Sequence, residues 1–129
     1  MSNLHELEVW NIGLRLVQIV YESTRNYPES ERFGLVSQTN RCVVSIPSNI
    51  AEGIGRKYKN EMIRFLFISR GSLYELETLL IIAKANAFLE AAKFGEIQTL
   101  LVECRAKLNA LINYFQHSKI SSPSHNSER

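Results

Sequence analysis

The sequence predicts an all-α protein, an antiparallel up-down-up-down four-helix bundle. Three observations carry this. Breakers are scarce, with 6 Gly and 3 Pro in 129 residues. Apolar residues recur at three- and four-residue spacing in four long segments. Short breaker clusters separate the segments, and long helices joined by short loops pack antiparallel. The length is that of one domain, and such a chain buries about two-thirds of its unfolded surface without a disulfide or metal. The bundle is assigned to residues 1–119. The last stretch, 120–129 (ISSPSHNSER), has the composition of a disordered tail.

Helix 1 is expected over Leu7 to Asn26. Glu8, Asn11, Arg15, Gln18 and Glu22 form one narrow polar stripe. Trp10, Leu14, Val17 and Tyr21 lie on one side of it, Ile12, Leu16, Ile19 and Val20 on the other. That apolar arc is far wider than a surface helix needs. Tyr27-Pro28 ends the helix, because a residue before proline avoids the α region.

Helix 2 is expected over Leu35 to Arg56, after an irregular or short helical lead-in at Glu29 to Gly34. Its core stripe is Leu35, Thr39, Cys42, Val43, Ile46, Ile50 and Gly53. Pro47 lies inside it. A mid-helix proline removes a hydrogen bond and costs about 3 kcal/mol or more. The apolar period continues past it, so a kink or local loosening is expected there, without a break. Gly53 and Gly55 are expected to end the helix. A polar stripe of Gln38, Arg41, Ser45, Ser48, Asn49 and Glu52 runs beside the core stripe.

Helix 3 is expected over Lys59 to Ala85, with Asn86 as its left-handed C-terminal residue. Its main apolar stripe is Met62, Phe65, Leu66, Leu73, Leu76, Leu80 and Ala83. A second stripe, Ile63, Phe67, Tyr74 and Ile81, lies roughly opposite, with Arg64, Gly71, Ser72 and Glu75 between the two. Helix 4, over Glu90 to Lys119, carries a single stripe from Phe94 to Phe115 that includes Cys104.

A bundle needs one apolar stripe per helix, and helices 1 and 3 have two. An isolated protomer leaves Ile63, Phe67, Tyr74 and Ile81 in water, and contiguous apolar patches of that kind mark protein contacts. Self-association follows, and head-to-tail contacts close into rings. A fold hiding Ile63, Phe67 and Tyr74 inside one protomer would remove this argument.

Net charge is +2, too small to argue for a nucleic-acid partner. Its distribution is uneven. Residues 32–70 hold seven cations against Glu52 and Glu61, a net +5, while residues 1–31 are −3 and residues 71–129 are neutral. A solvated helical hairpin accounts for this, and so does a phosphate-binding face of Arg41, Arg56, Lys57, Lys59 and Arg64.

The sequence offers no catalytic constellation. There is no aspartate, and all 13 acidic residues are glutamate. His5, His117 and His125 lie near the termini with no ligand at metal spacing, and the Glu-x-x-His pattern of di-iron bundles is absent. Cys42 and Cys104 read as small core residues, since no CxxC spacing occurs. Gly53-Ile54-Gly55 lacks the preceding strand of a dinucleotide fingerprint. The expectation is a non-enzyme without cofactor or metal. With no secretory leader and no apolar run long enough to span a bilayer, a cytoplasmic, non-membrane protein is expected.

The polar stripe is the odd feature. Ser45, Ser48, Asn49 and Glu52, near Arg41, are placed to face Arg64, Ser72 and Glu75 on helix 3. It reads as a paired network fixing helix register, or as a ligand or nucleic-acid contact.

These same residues carry a resemblance. PESERFGL, SIPSNIAEGIGR and RFLFISRGSLYELE occur in that order between Pro28 and Glu77. The set resembles the bacterial 23S rRNA intervening-sequence proteins, whose reading frames were first noted in insertions within 23S rRNA genes. It also looks like the accessory variability protein of diversity-generating retroelements, a basic pentameric bundle that binds nucleic acid and a reverse transcriptase. The resemblance covers residues 4 to 117. It implies a four-helix protomer in a ring-shaped homopentamer without catalytic activity, and RNA, DNA or a reverse transcriptase as partners. Matching positions are Gln38, Arg41, Ser45, Ser48, Asn49, Glu52, Gly53, Arg56, Arg64, Gly71, Ser72 and Glu75. Two departures stand out. Tyr58 replaces the serine of a capping box with Glu61, leaving Asn60 or an unassisted turn to open helix 3. Ser69-Arg70 replaces apolar or small residues.

Overall fold

The computed structural model describes residues 3–118, so the expected tail lies outside the described residues. Four helices form: α1 (Glu8–Thr24), α2 (Ser37–Ile54), α3 (Lys59–Ala85) and α4 (Ala91–Gln116). Each packs on its neighbours in the order α1, α2, α3, α4 and back to α1. The cross-section is a square, and the α1–α2 side is opposite the α3–α4 side. Polar contacts fix the antiparallel sense. Lys59 at the start of α3 donates to the Ser118 carbonyl just past α4, 3.4 Å away.

The expected core stripes are the core. Ile12, Leu16, Ile46, Ile50, Leu66, Leu73, Leu76, Leu80, Ile97, Leu101, Leu108 and Phe115 are fully buried. Each follows the 3.6-residue period, since only that spacing keeps side chains on one helix face. No helix among the described residues is long and apolar enough to cross a membrane.

Helix ends depart from expectation in four places. First, α1 stops at Thr24, before Tyr27-Pro28. The Ser23 and Thr24 hydroxyls bond back to the Ile19 and Tyr21 carbonyls, and Thr24 also reaches Asn40 at 3.0 Å. Such side-chain bonds compete with helix continuation, and Tyr27 turns into the core. Second, α2 begins at Ser37 instead of Leu35, because the short helical lead-in, of the expected kind, runs on as a 3-10 turn (Glu29–Glu31) and a π-helical turn (Arg32–Val36). Third, α2 ends at Ile54 with Gly55 as its C-cap, as expected, but neither Gly53 nor Gly55 adopts a positive φ. α2 runs through Gly53, which is buried against α3. Fourth, Asn86 is not left-handed. Ala87 is, at φ 64. Its amide bonds Lys84 O at 3.0 Å and that of Phe88 bonds Ala83 O at 2.9 Å. That pair of bonds is a Schellman motif built without glycine.

α2 continues unbroken through Pro47. Gly13 of α1 lies against it, where a Cβ would stand 3.2 Å from Pro47 Cβ. From the other side, Ser69 of α3 donates its hydroxyl to the Ile46 carbonyl at 2.8 Å. Gly13, Ile46–Pro47 and Ser69 therefore mark one cross-section of the bundle.

Candidate functional site at the α2–α3 hairpin

The expected basic residues do not form one patch. Arg56, Lys57, Lys59 and Arg64 gather at the turn between α2 and α3. Arg41 is 15 residues up α2 from Arg56, which at about 1.5 Å per residue is roughly 22 Å away. It lines a shallow depression with Gln38, Cys42, Ser45 and Glu75.

Around the turn, Phe65 organises the cations. The Arg56 guanidinium lies 4.7 Å from its ring centroid and that of Arg64 lies 4.9 Å from it. Ring and cation attract through the quadrupole, by about 0.5–1 kcal/mol at exposed sites. Glu52 also pairs with Arg56 at 2.9 Å, one turn back on α2. Lys57 lies 5.4 Å from the Tyr58 ring. Lys59 donates to the Ser118 carbonyl just past α4, which places a cation near the C-terminus of that helix, where it suits the helix dipole. Tyr58 occupies the N-cap of α3 with no side-chain capping bond. The sequence placed Phe65 in the core stripe alone. The half-buried ring also carries the two arginines, and its direct neighbour Arg64 was the available signal.

The polar stripe divides. Its inner half meets α3 as expected. The Ser45 and Ser72 hydroxyls are 2.6 Å apart, and Ser45 donates to the Cys42 carbonyl at 2.6 Å, so Ser72 supplies the hydrogen between them. Cys42 Sγ donates to the Ser72 carbonyl at 3.2 Å. Asn49 Nδ2 donates to the Ser45 carbonyl at 2.8 Å, and Gln38 reaches Glu75 at 3.5 Å. The other half faces away from α3. Ser48 is exposed and borders the α1–α2 side, Glu52 holds Arg56, and Arg64 sits on Phe65 instead of the serines. The bonds of Ser45 and Cys42 to Ser72 tie α2 to α3, Gln38 and Glu75 meet across the same face, and the Asn49 bond stays within α2.

Neither thiol is placed to react. Burial, with Glu75 beside it, pushes Cys42 up to about 12. Burial, with Glu103, does the same to Cys104. Among the described residues, no group of three or more His, Cys, Asp or Glu is arranged to hold a metal ion.

The second stripe of α3 lies on the protomer surface. Phe67, Tyr74 and Ile81 are 39%, 54% and 50% exposed, and Ile63 is half-buried against the core. Two cations cover the aromatics. Arg70 lies 4.7 Å from the Phe67 centroid and donates to Asn109 of α4 at 3.0 Å. Arg105 of α4 lies 5.1 Å from Tyr74 and donates to Glu77 at 3.2 Å. Gly71, between the two aromatics, is exposed with no atom within 4 Å of where its Cβ would be.

The family described as 23S rRNA-intervening sequence protein matches residues 5–110. The chain belongs to that family. The match takes in α1, α2, α3, most of α4, and every residue of the hairpin cluster, the polar network and the exposed α3 stripe. None of the curated proteins matches the chain. Within this family member, Ser69 and Arg70 have a structural purpose. One satisfies a carbonyl beside Pro47, and the other ties α3 to α4.

Proposed function

We propose that this family member is a non-catalytic, self-associating bundle that holds RNA at the α2–α3 hairpin. The pairing of Arg56 and Arg64 on the Phe65 ring carries the reading. A ring that anchors two guanidiniums presents two planar, permanently charged forks from a rigid turn, and that geometry suits phosphate oxygens. Lys57 adds charge beside them. The family's description, which names a 23S rRNA intervening sequence, supports RNA over DNA as the nucleic acid. One protomer supplies few phosphate contacts. Self-association repeats the hairpin, and linked sites raise avidity without new contacts. The test is an RNA gel shift with a structured 23S rRNA fragment across a salt series. Binding that falls steeply with salt is expected. No shift at low salt would overturn the reading.

A second reading, a protein-interaction scaffold with no nucleic-acid role, is favoured by two contacts. Glu52 neutralises Arg56, and Lys59 is turned to a carbonyl. The partner surface is then Phe67, Tyr74 and Ile81, and a reverse transcriptase is one such partner class. Polar substitutions at Phe67 and Tyr74 that leave pull-down profiles unchanged would end it.

A further inference from the structure

We propose that the depression between α2 and α3 is a recognition site for guanine, whose hydrogen-bonding edges are read by Arg41 and Glu75. This rests on the RNA reading of the proposed function for its source of guanine, an unpaired base, and adds a base-reading site to a phosphate-holding one.

The depression encloses about 400 Å³ and is lined by Gln38, Arg41, Cys42, Ser45 and Glu75. Its floor is already bonded. Cys42 donates to the Ser72 carbonyl, Ser72 gives its hydrogen to Ser45, and Ser45 donates to the Cys42 carbonyl. The two bonds that involve Ser72 join α2 to α3 and hold the walls at a set distance.

The walls are open. Among the described residues, Arg41 of α2 has no hydrogen-bond or ion-pair partner. Glu75 of α3 receives a long contact at Oε2 from Gln38 Nε2, 3.5 Å away, and the Cys42 thiol stands beside it. A carboxylate offers about four acceptor positions, so acceptor capacity stays unmet. The two opposite charges line one hollow without joining. A planar fork of donors therefore stands on one wall and an acceptor-only group on the other, with room between them.

A ligand that fits presents two adjacent acceptors to Arg41 and two adjacent donors to Glu75. Guanine does this. Its N7 and O6 are the pair that a guanidinium fork meets with two hydrogen bonds. Its N1–H and N2 amino group, on the adjoining edge, are donors that a carboxylate accepts from in parallel. Adenine carries a donor amino group beside N7 and an acceptor at N1, so it sets like against like at both walls. Cytosine and uracil have no edge with two adjacent donors. The base must be unpaired, because a duplex occupies N1–H and N2, and unstacked bases are what proteins read on these edges in RNA. Arg41 is roughly 22 Å along α2 from Arg56. A strand whose phosphates lie on Arg56 and Arg64 reaches the depression within a few nucleotides.

The probe is an RNA stem-loop whose uridine loop carries one guanine, titrated into the full chain by fluorescence anisotropy. It is expected to bind about tenfold tighter than the same stem-loop with an all-uridine loop, as one bidentate base contact provides. Two analogues address the walls separately. 7-Deazaguanine lacks the N7 acceptor, and inosine lacks the N2 amino group. 7-Deazaguanine weakens binding to wild type and has no further effect on Arg41→Ala. Inosine weakens binding to wild type and has no further effect on Glu75→Gln. Both positions are exposed, and thermal melts check that each variant folds. Arg41→Ala lowers affinity for the guanine loop and leaves the salt slope unchanged, as loss of a base contact does and loss of a phosphate contact does not.

If guanine and uridine loops bind alike, or if the analogues weaken the variants as much as wild type, the guanine site falls and RNA holding at the hairpin stands. If neither stem-loop binds, the RNA reading falls, and calorimetry with guanosine 5′-monophosphate decides the site alone. Binding that adenosine 5′-monophosphate does not share, and that Arg41→Ala and Glu75→Gln abolish, keeps it as a site for a free guanine nucleotide. No binding overturns it.

Discussion

Gly53 of α2 and Met62 of α3 approach so closely that a methyl on Gly53 would stand 2.9 Å from the Met62 carbonyl oxygen. Backbone, not a flexible side chain, is what such a methyl meets. Phe65 Cβ and Leu66 Cδ2 close the remaining space, at 3.2 and 3.4 Å. Glycine here serves helix-to-helix contact at the hairpin that carries Arg56 and Arg64. Gly53→Ala is expected to lose about 1–3 kcal/mol, as overpacking of a tight contact does. Urea denaturation measures this. Gly95→Ala on α4, with nothing within 4 Å of the new methyl, is the control that gains stability.

Gly71→Ala separates protomer from assembly. At concentrations where the chain is monomeric, the variant gains about 0.5–1 kcal/mol, because alanine replaces an exposed mid-helix glycine. If the exposed α3 stripe is the self-association surface, its self-association changes, because the methyl stands on that stripe between Phe67 and Tyr74. Chemical denaturation at high dilution reads the first effect and sedimentation at high concentration the second.

Ala87 holds a left-handed backbone at φ 64. An L-residue other than glycine is strained there by about 1 kcal/mol or more. Ala87→Gly relieves this while keeping the Schellman bonds of the α3–α4 turn. A rise in Tm of about 3–5 °C is expected for roughly 1 kcal/mol in a chain of this size. Calorimetry checks it.

Both thiols stand at about 12, pushed up by burial from an ordinary 9.0. Below pH 9 folded and unfolded chains both keep their thiol protons, so the cysteines contribute no pH dependence there. Between pH 9 and 12 the unfolded chain releases protons that the folded chain retains. Stability therefore falls as pH rises through that window. Urea midpoints should decline from pH 9 upward, less steeply in a Cys42→Ala/Cys104→Ala chain. A thiol reagent at pH 8 should label neither cysteine until the protein unfolds.

Arg56→Ala/Arg64→Ala removes the paired forks but leaves the bundle core intact. RNA affinity should fall, and the slope of log K against log salt should flatten by about 0.7–0.9 for each phosphate that the variant no longer neutralises. Arg41→Ala, at the far end of α2, should leave the slope unchanged. Equal losses from all three arginines would argue for a diffuse field instead of a hairpin site.

Much of this was legible along the chain. α3 spans Lys59–Ala85 as expected, because uninterrupted apolar spacing is a local signal. The wide arc of α1 and second stripe of α3 announced apolar surface beyond the core, and Phe67, Tyr74 and Ile81 are exposed. Four details were not legible. Left-handedness moved from Asn86 to Ala87, since the Schellman bonds and not residue preference fix where the chain reverses. Gly53 serves packing instead of termination. Arg41 parted from Arg56 because a charge count ignores distance along a helix. Phe65 joined the cation cluster only because α2 returns beside it.

By itself the sequence determined that four long segments are helical, which face of α2, α3 and α4 is buried, and that apolar surface remains, because a helix period depends only on spacing; which side of α1 is buried was decided by the packing. The tertiary structure alone decided that Arg56 and Arg64 share one ring, that Ser45 and Ser72 share one hydrogen, and that Ser69 reaches the Ile46 carbonyl beside Pro47. Those relations join residues from different helices, and their distances come into being only when the helices pack.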